Sequence, residues 1–286
     1  MIAADLGGTN LRVALFGHDG VQHYRDIQET PAGDREALTR ALGRALDAAR
    51  ANRLSVGHAV VGVPGWVDHA SNLVVTLPNL PAWGSFDASG LTARLGVNVT
   101  FGNDADFAAL GEHRFGAGIG CSDMVYITCS TGVGAGVIAG GRLLRLRRSM
   151  AEIGHTVIDW RTGETVEGLG SGTALARLAG MPAHEVAARA ASGDALAQSQ
   201  FRRTADAFAI GVLNMAFLFA PERIVIGGGM SQAGDLLLGP VRERIAAEGS
   251  PLLAVRREDI VLARLGQDAG LLGAFAFWQD RLAEGQ

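Results

Sequence analysis

Lysine is missing from this 286-residue chain, so all 25 of its basic residues are arginine. A Schiff-base enzyme needs a lysine amine, and a P-loop of the Walker type needs its lysine on the phosphates. Both mechanisms are therefore excluded. If the chain binds a nucleotide, backbone N–H groups, hydroxyls and a metal ion must hold the phosphates.

Cysteine and long apolar runs are scarce as well. Cys121 and Cys129 are too few for a disulfide framework or for a zinc site built from cysteines. No stretch approaches the roughly 20 apolar residues that span a bilayer. Asp5 interrupts the first apolar run, where a secretory leader would need an uncharged segment. These absences predict a cytoplasmic enzyme that binds no membrane.

Positive charge does not dominate either, since 25 basic residues face 29 acidic ones and the formal net charge is −4. Proteins that bind nucleic acid usually present a basic face to the phosphate backbone. The charge balance therefore predicts a small-molecule substrate and no nucleic-acid partner.

Length and pattern predict two α/β domains. A chain of 286 residues corresponds to about two domains of 100–200 residues each. Apolar runs alternate with helical patterns, as they do in α/β proteins. Each half also contains a strand, a glycine turn with a hydroxyl and a returning strand, which predicts two related lobes.

Apolar spacing locates the main elements. Helices are predicted at 35–51, with Asp34 as the N-cap, and at 104–115, 172–179, 182–192 and 194–220. Strands are predicted at 59–63, 97–101, 124–129, 135–139 and 224–226. The basic run 142–148 alternates with leucine, which is typical of a half-exposed hairpin strand. A contact with ATP phosphates or with a neighbouring subunit is the alternative.

The first glycine turn reads Asp5-Leu6-Gly7-Gly8-Thr9-Asn10. Glycines after a strand let the backbone approach an anion closely, and a hydroxyl and an amide add donors. Asp5 at the strand end could hold Mg²⁺ through water, because that ion keeps much of its hydration shell. An ordinary glycine hairpin with an aspartate cap is the alternative interpretation.

The second glycine turn carries the pair Ser130-Thr131, followed by glycines at alternate positions, Gly132, Gly134 and Gly136. Interior glycine weakens a strand and often marks the close approach of another group. A glycine-kinked sheet corner is the alternative. Two such turns, one in each half, are what a bound polyphosphate needs in a chain without lysine.

Asn103-Asp104 lies between the two turns, at a predicted strand-to-helix junction. A carboxylate there can accept the proton of a substrate hydroxyl, which is the task of the base in phosphoryl transfer. A helix N-cap is the alternative for Asp104. Its position between the two predicted phosphate loops favours the base.

Together these motifs resemble the ROK family of sugar kinases, repressors and uncharacterised reading frames, within the actin-like ATPase superfamily. The resemblance covers nearly the whole chain. The two turns resemble the family's phosphate loops, and Asn103-Asp104-Ala105 its sugar and catalytic-base motif, although Asp106 stands where asparagine is common. The remaining matches are the sugar-side segments at 62–68 and 77–80, the second sugar motif at 152–155 and the adenosine-side loop Gly227-Gly228-Gly229.

The resemblance implies two ribonuclease-H-like lobes with an interlobe cleft. The first would cover residues 1–105 and the second, which binds ATP and forms oligomers, residues 106–267. The helix at 268–286 would return to the first lobe. ATP and Mg²⁺ would lie against the second lobe with the sugar deep in the cleft, and the family implies a homodimer or homotetramer. The implied sugar contacts are Gly65, Asn79, Asn103, Asp104, Glu152, His155 and Glu167.

One departure from the family concerns metal. Many members follow the glycine-histidine pair with a segment whose three cysteines and that histidine hold a structural zinc. Here the window from His155 to Glu167 is shorter and has no cysteine, so no zinc is expected. We expect packing of Trp160 and local hydrogen bonds to hold this loop. Allowing a gap places Glu167 on the motif's glutamate, and His155 is either a sugar contact or a structural residue.

The functional hypothesis is an ATP-dependent kinase that converts glucose to glucose 6-phosphate, with Asp104 as general base. Glucose comes first because residues 78–83 resemble the matching stretch of bacterial glucokinases in the family. N-acetylhexosamines, mannose and fructose are alternatives, and polyphosphate could replace ATP. A DNA-binding repressor would need a helix-turn-helix before the first strand, which this chain lacks. A non-catalytic sugar sensor is disfavoured by Asp104 and the two phosphate loops.

Overall fold

A computed structural model describes residues 1–145, 147 and 151–285. The described chain divides into two compact units. The first contains residues 1–114, Arg145, Arg147 and residues 267–285, and the second contains residues 115–144 and 151–266.

Fifteen strands and nine α-helices are assigned in the described residues. The strands are β1 (Ile2–Leu6), β2 (Asn10–Phe16), β3 (Gln22–Glu29), β4 (His58–Val63), β5 (Trp66–Asp68), β6 (Leu73–Thr76), β7 (Phe86–Asp87), β8 (Asn98–Asn103), β9 (Met124–Cys129), β10 (Val133–Ala139), β11 (Arg142–Leu143), β12 (Val157–Asp159), β13 (Glu164–Thr165), β14 (Arg223–Gly227) and β15 (Ile260–Leu262). The helices are α1 (Glu36–Ala51), α2 (Ala88–Leu95), α3 (Asp104–Phe115), α4 (Val166–Gly170), α5 (Gly172–Ala179), α6 (Ala183–Ala191), α7 (Ala195–Phe219), α8 (Asp235–Ala247) and α9 (Ala269–Ala283).

The first unit is built on a five-stranded sheet in the order β3-β2-β1-β4-β8. β1 pairs antiparallel with β2 and parallel with β4, which pairs parallel with β8. The apolar side chains of these strands and of α1 form one buried cluster. α3 and α9 approach closely through glycine, because a Cβ at Gly111 or Gly273 would overlap backbone of the opposite helix. A separate three-stranded sheet contains β5, β6 and β7.

The second unit repeats this plan with the sheet order β11-β10-β9-β14-β15. β9 pairs antiparallel with β10 and parallel with β14, and β14 pairs parallel with β15. The long helix α7 supplies much of the buried cluster that covers this sheet. The hairpin of β12 and β13 precedes α4. The mixed α/β class and the repeated strand, glycine turn and strand agree with the sequence-based expectation.

Most predicted elements are found within two residues of their expected ends, and the exceptions have local causes. α1 begins at Glu36 with Arg35 at its N-cap, so the N-cap prediction for Asp34 is wrong by one position. The Asp34 carboxylate nevertheless accepts a hydrogen bond from Glu36 N at 3.0 Å. It thus satisfies one of the free N–H groups at the helix start.

The basic run 142–148 is not one hairpin strand, because β11 ends at Leu143. Arg145 lies over the Phe277 ring at 4.6 Å and contacts His69 Nδ1 at 2.9 Å. Arg147 donates to Asp68 Oδ2 at 3.3 Å. The Arg147 carbonyl also accepts from His69 N at 3.0 Å, so its backbone is bonded outside the β10–β11 pair. Leu146 and Arg148 lie outside the described residues.

Among the residues that the structure describes, no helix is long and apolar enough to cross a membrane.

Candidate active site

The predicted phosphate and sugar residues of the first unit lie at the ends of neighbouring strands. β1, β4 and β8 are parallel neighbours, with Asp5 beside Gly62 and Val63 beside Asn103. Their carboxyl ends therefore share one edge of the sheet. In open α/β sheets, ligands bind outside that edge. The glycine turn after β1 and the start of α3 after β8 are both placed there.

The first glycine turn is held from within. Gly7 N donates to Asn10 O at 2.8 Å, and Thr30 binds the turn through its hydroxyl to Gly7 O and its amide to Thr9 O, each at 2.8 Å. Gly8 and Thr9 at the tip are exposed. The turn thus presents a fixed backbone to solvent, as a phosphate loop requires.

Asp5 precedes this turn and lies beside Arg12, which was not among the predicted site residues. Arg12 faces Asp5 in the β1–β2 register, and its Nη1 lies 3.4 Å from Asp5 Oδ2. Burial raises the pKa of the Asp5 carboxyl above its usual value, and the Arg12 guanidinium offsets only part of that rise. A carboxylate oxygen is a ligand type that Mg²⁺ takes, and a cation nearby would also favour the ionised carboxyl. Asp5 therefore fits the predicted magnesium contact in its chemistry.

Asn103, and not Asp104, caps α3. Asn103 Oδ1 accepts from Ala105 N at 2.9 Å and from Asp106 N at 3.2 Å, and its Nδ2 donates to Gly65 O at 3.2 Å. Asp104 Oδ1 accepts from the adjacent Ala105 N at 2.9 Å. Asp104 is half-buried whereas its neighbours Asn103 and Ala105 are buried. The N-terminal cap of α3 is therefore supplied by the Asn103 side chain.

Two further predicted sugar contacts lie close to these residues. Gly65 requires the absence of a side chain, because a Cβ there would overlap Thr76 O and lie 3.1 Å from Leu77 Cα. Asn79 is exposed, and its Cβ lies 3.4 Å from the position that a Cβ on Gly8 would take. The first phosphate loop and the predicted sugar side are thus in contact at this point.

Hydrogen bonds from the first two residues of α5 anchor the second glycine turn. Ser130 N donates to Gly132 O at 2.8 Å within the turn. Gly172 N donates to Ser130 O at 2.7 Å, and Thr173 Oγ1 donates to Thr131 O at 2.7 Å. Gly134 lies farther along β10, opposite Thr128 of β9.

The predicted adenosine-side loop adjoins this turn. Gly227 ends β14 beside Thr128. Gly228 has φ +84°, and a Cβ there would overlap Cys129 O, so only glycine fits without strain. Gly229 has no other atom within 4 Å of the position that its Cβ would take.

A cavity of about 710 Å³ opens between this loop and the second glycine turn. Its volume is in the range of ligand pockets. Its walls are rich in alanine, and most of the lining residues were not predicted as site residues. The lining comprises Ser130, Thr131, Gly172, Thr173, Ala176, Ala183, His184, Ala187, Ala188, Ala191, Gly229, Met230, Gln232, Ala233 and Leu236.

The second predicted sugar motif also lies in this unit. Glu152 precedes a short 3₁₀ turn, Ile153–His155, and His155 Nε2 lies 3.9 Å from Glu152 Oε2. Burial raises the pKa of Glu152, while nearby His155 lowers it and nearby Glu167 raises it further. Glu167 Oε2 accepts from Val133 N at 2.8 Å. The structure therefore brings Glu152, His155 and Glu167 together beside the second glycine turn.

The loop between His155 and Glu167 is a β-hairpin, and the expected packing of Trp160 is wrong. Trp160 is 80% exposed, with the Arg161 guanidinium 5.0 Å from its ring centre. Backbone bonds hold the hairpin, including Val166 N to Thr156 O at 3.0 Å. Within the described part of the chain, no three histidine, cysteine, aspartate or glutamate side chains gather to hold a metal ion. The absence of zinc from the protein stays a prediction.

Comparisons with known proteins agree with this arrangement. The ROK family profile matches residues 1–281. The glucokinase of Thermotoga maritima is 32% identical over 313 residues, covering 99% of this chain and 98% of that protein. The N-acetylmannosamine kinase of Shigella flexneri is 34% identical over 290 residues, covering 96% of each. A ROK family glucokinase from Streptomyces griseus, solved with glucose and AMPPNP, is 30% identical with a TM-score of 0.77, covering 96% of this chain and 97% of that one.

Proposed function

The chain belongs to the ROK family, and from that premise we propose that it transfers the γ-phosphate of ATP to a hydroxyl of glucose. The proposal assigns acceptor chemistry to the strand ends of the first unit and phosphate binding to the glycine turns. It assigns the nucleoside to the cavity beside the second turn. Each assignment has its own structural support.

The observation that carries the proposal is the division of roles between Asn103 and Asp104. Asn103 caps α3 and binds Gly65 O, so the Asp104 carboxylate is not needed to start the helix. It follows β8 at the carboxyl-end edge of the sheet, where β4 separates β8 from β1, the strand that leads into the first predicted phosphate loop. A carboxylate placed there can accept the proton of the attacking hydroxyl as the phosphoryl group is transferred.

The donor assignment is supported by the anchored turns and by the cavity. Phosphoryl transfer depends chiefly on positioning and on charge stabilisation, which fixed N–H groups and hydroxyls supply in a chain without lysine. Bound Mg²⁺, with its water shell near Asp5, would supply positive charge to the phosphates. A cavity lined by alanine suits the flat apolar face of a base. Polyphosphate has no such group, so the cavity favours ATP as donor.

Glucose is the first choice of acceptor because glucokinases of several organisms match nearly the full chain at 29–33% identity. A second candidate acceptor is N-acetylmannosamine. The bifunctional NanE/NanK enzyme of Brucella melitensis is 36% identical over 288 residues, although this chain covers only 52% of that protein. The single-function N-acetylmannosamine kinase supports the same alternative.

The test is a coupled ADP-release assay on purified protein with glucose, N-acetylmannosamine, N-acetylglucosamine, mannose and fructose. We expect the highest kcat/KM with glucose and MgATP, and no turnover with polyphosphate. The variant D104N should lower kcat by about 10² or more, the usual scale for loss of a general base, with sugar binding retained. Absence of turnover on every sugar would refute the kinase proposal. A D104N enzyme with wild-type kcat would remove Asp104 from the mechanism.

A further inference from the structure

One short segment of the second unit, residues 167–173, fastens the second glycine turn along its length. At one end Glu167 Oε2 accepts from Val133 N at 2.8 Å. At the other end Thr173 Oγ1 donates to Thr131 O at 2.7 Å, and Gly172 N donates to Ser130 O at the same distance. The turn's position therefore depends on this segment.

Two glycines show how closely Glu167 fits. A Cβ on Gly132 would overlap Glu167 Oε2 and lie 3.2 Å from its Cδ. A Cβ on Gly154 would overlap Val133 O and lie 3.4 Å from Glu167 Cβ. The turn that carries Glu152 and His155 thus packs on the same glutamate that binds the phosphate loop.

We infer that Glu167 is a positioning residue for the phosphate loop and that it couples acceptor binding to donor binding. This inference rests on the proposed kinase function for its acceptor half. One carboxylate oxygen, Oε2, accepts from Val133 N, and Glu167 is half-buried. The inference assigns the other oxygen, Oε1, to a sugar hydroxyl. A sugar that engages this oxygen restricts the side chain and so restricts the loop.

Coupling of this kind has a definite thermodynamic form. When one ligand pays the entropy of ordering a shared element, the second ligand binds more tightly, and the effect is reciprocal. A hydrogen bond to a charged acceptor corresponds to about ten- to a hundredfold in an equilibrium constant. Because Glu167 is only half-buried, we expect the lower end of this range.

Two simpler roles for Glu167 make different predictions. A residue that only contacts sugar would not change nucleotide affinity when sugar is absent. A residue that only supports the fold would lower the melting temperature and weaken nucleotide and sugar binding together. The positioning role requires weaker nucleotide binding without sugar, loss of coupling, and a fold that remains intact.

The experiment is titration calorimetry of MgAMP-PNP binding to the full chain, with and without saturating glucose. In the wild type we expect glucose to tighten AMP-PNP binding. E167A should weaken AMP-PNP about tenfold in the absence of glucose and should reduce the effect of glucose to less than twofold. E167Q should keep the sugar-free affinity within about threefold, because its amide oxygen still accepts from Val133 N.

T173V is the matched control, since it removes a different bond to the same loop at a residue with no predicted sugar contact. It should weaken AMP-PNP but keep the effect of glucose. Wild-type AMP-PNP affinity of E167A without glucose would overturn the positioning role. Equal loss of coupling in T173V would overturn it as well, and so would a melting temperature for E167A well below that of T173V. A wild type that binds glucose but shows no coupling would also overturn the inference. If glucose does not bind at all, the proposed function fails, while the sugar-free arm still tests the positioning of the loop.

Discussion

Gly132→Ala is the substitution that most directly tests how the second predicted phosphate loop is built. A sequence argument assigns this glycine to ATP alone, so a side chain there should raise the KM for ATP far more than that for sugar. The structure changes this expectation. A Cβ at Gly132 would overlap Glu167 Oε2 and lie 3.2 Å from Cδ, where ordinary contacts begin at 3.4 Å.

The magnitude follows from the bond that this contact disrupts. Glu167 must withdraw, and the 2.8 Å bond from Val133 N then exceeds the usual limit of about 3.2 Å. A hydrogen bond to a charged group contributes about 1.5–3 kcal/mol. The half-exposed position of Glu167 favours the lower end, or about tenfold. We therefore expect the KM values for both ATP and glucose to rise about tenfold.

The assay is ADP release with each substrate varied at saturation of the other. Gly43→Ala is the control, because Gly43 lies inside α1 of the first unit with no atom within 4 Å of a new Cβ. It should leave both KM values unchanged and stabilise the protein by about 0.5–1 kcal/mol.

The double variant G132A/E167D provides a second check. Aspartate is shorter by one methylene, so it relieves the overlap, and the pair should be less impaired than the sum of the two single changes. A rise in the KM for ATP alone, with the KM for glucose unchanged and strict additivity in the double variant, would refute the reasoning.

Three further predictions concern metal, pH and charge. A zinc-selective chelator with excess Mg²⁺ should leave activity and melting temperature unchanged, because backbone bonds hold the hairpin before Glu167; stoichiometric zinc in elemental analysis would contradict this. Burial and then Arg145 lower the pKa of His69 to about 4, although Asp68 opposes the shift. Below about pH 6.5 the unfolded chain binds a proton that folded His69 does not, so stability should fall as pH falls from 6.5 toward 4. Denaturant titrations at pH 7 and pH 5 should show a smaller loss in His69→Gln, and an equal loss in both proteins would remove His69 as the cause. Arg12→Leu removes the cation that lowers the Asp5 pKa, so the acidic limb of kcat/KM should shift to higher pH, and an unshifted limb would show that Asp5 need not be ionised.

The sequence allowed site residues to be proposed where a chemically suited residue stands at the end of an apolar strand. Asp5 and Asp104 each follow an apolar strand, and parallel pairing brings such strand ends to one edge of the sheet. Glycine turns after β1 and β9 could be recognised for the same reason. Arg12 also had a signal that was overlooked. In a hairpin around residues 7–9, position 12 must pair with position 5, and the register confirms this.

The cavity and the exposure of Trp160 could not be predicted from the sequence, because each depends on how separate elements pack. Six of the fifteen residues that line the cavity are alanines on α5, α6 and the segment before α8, and alanine has no chemistry that marks a site. Only the packing of separate helices makes these residues neighbours. Trp160 was assigned to packing because tryptophan is usually well buried. The β12–β13 hairpin is too small to cover it, so the ring stays exposed.

The absence of lysine connects these observations. A flexible lysine can follow a phosphate as it moves, but a backbone N–H is useful only if its loop is already in place. The chain meets this requirement through bonds that fix each turn, from Thr30 to the first and from residues 167–173 to the second. A consequence is that a single uncharged group, such as the hydroxyl of Thr30, should matter for nucleotide affinity as much as a cation does elsewhere. Thr30→Val keeps the shape and removes the bond to Gly7 O, so it should weaken MgAMP-PNP binding severalfold without changing the net charge.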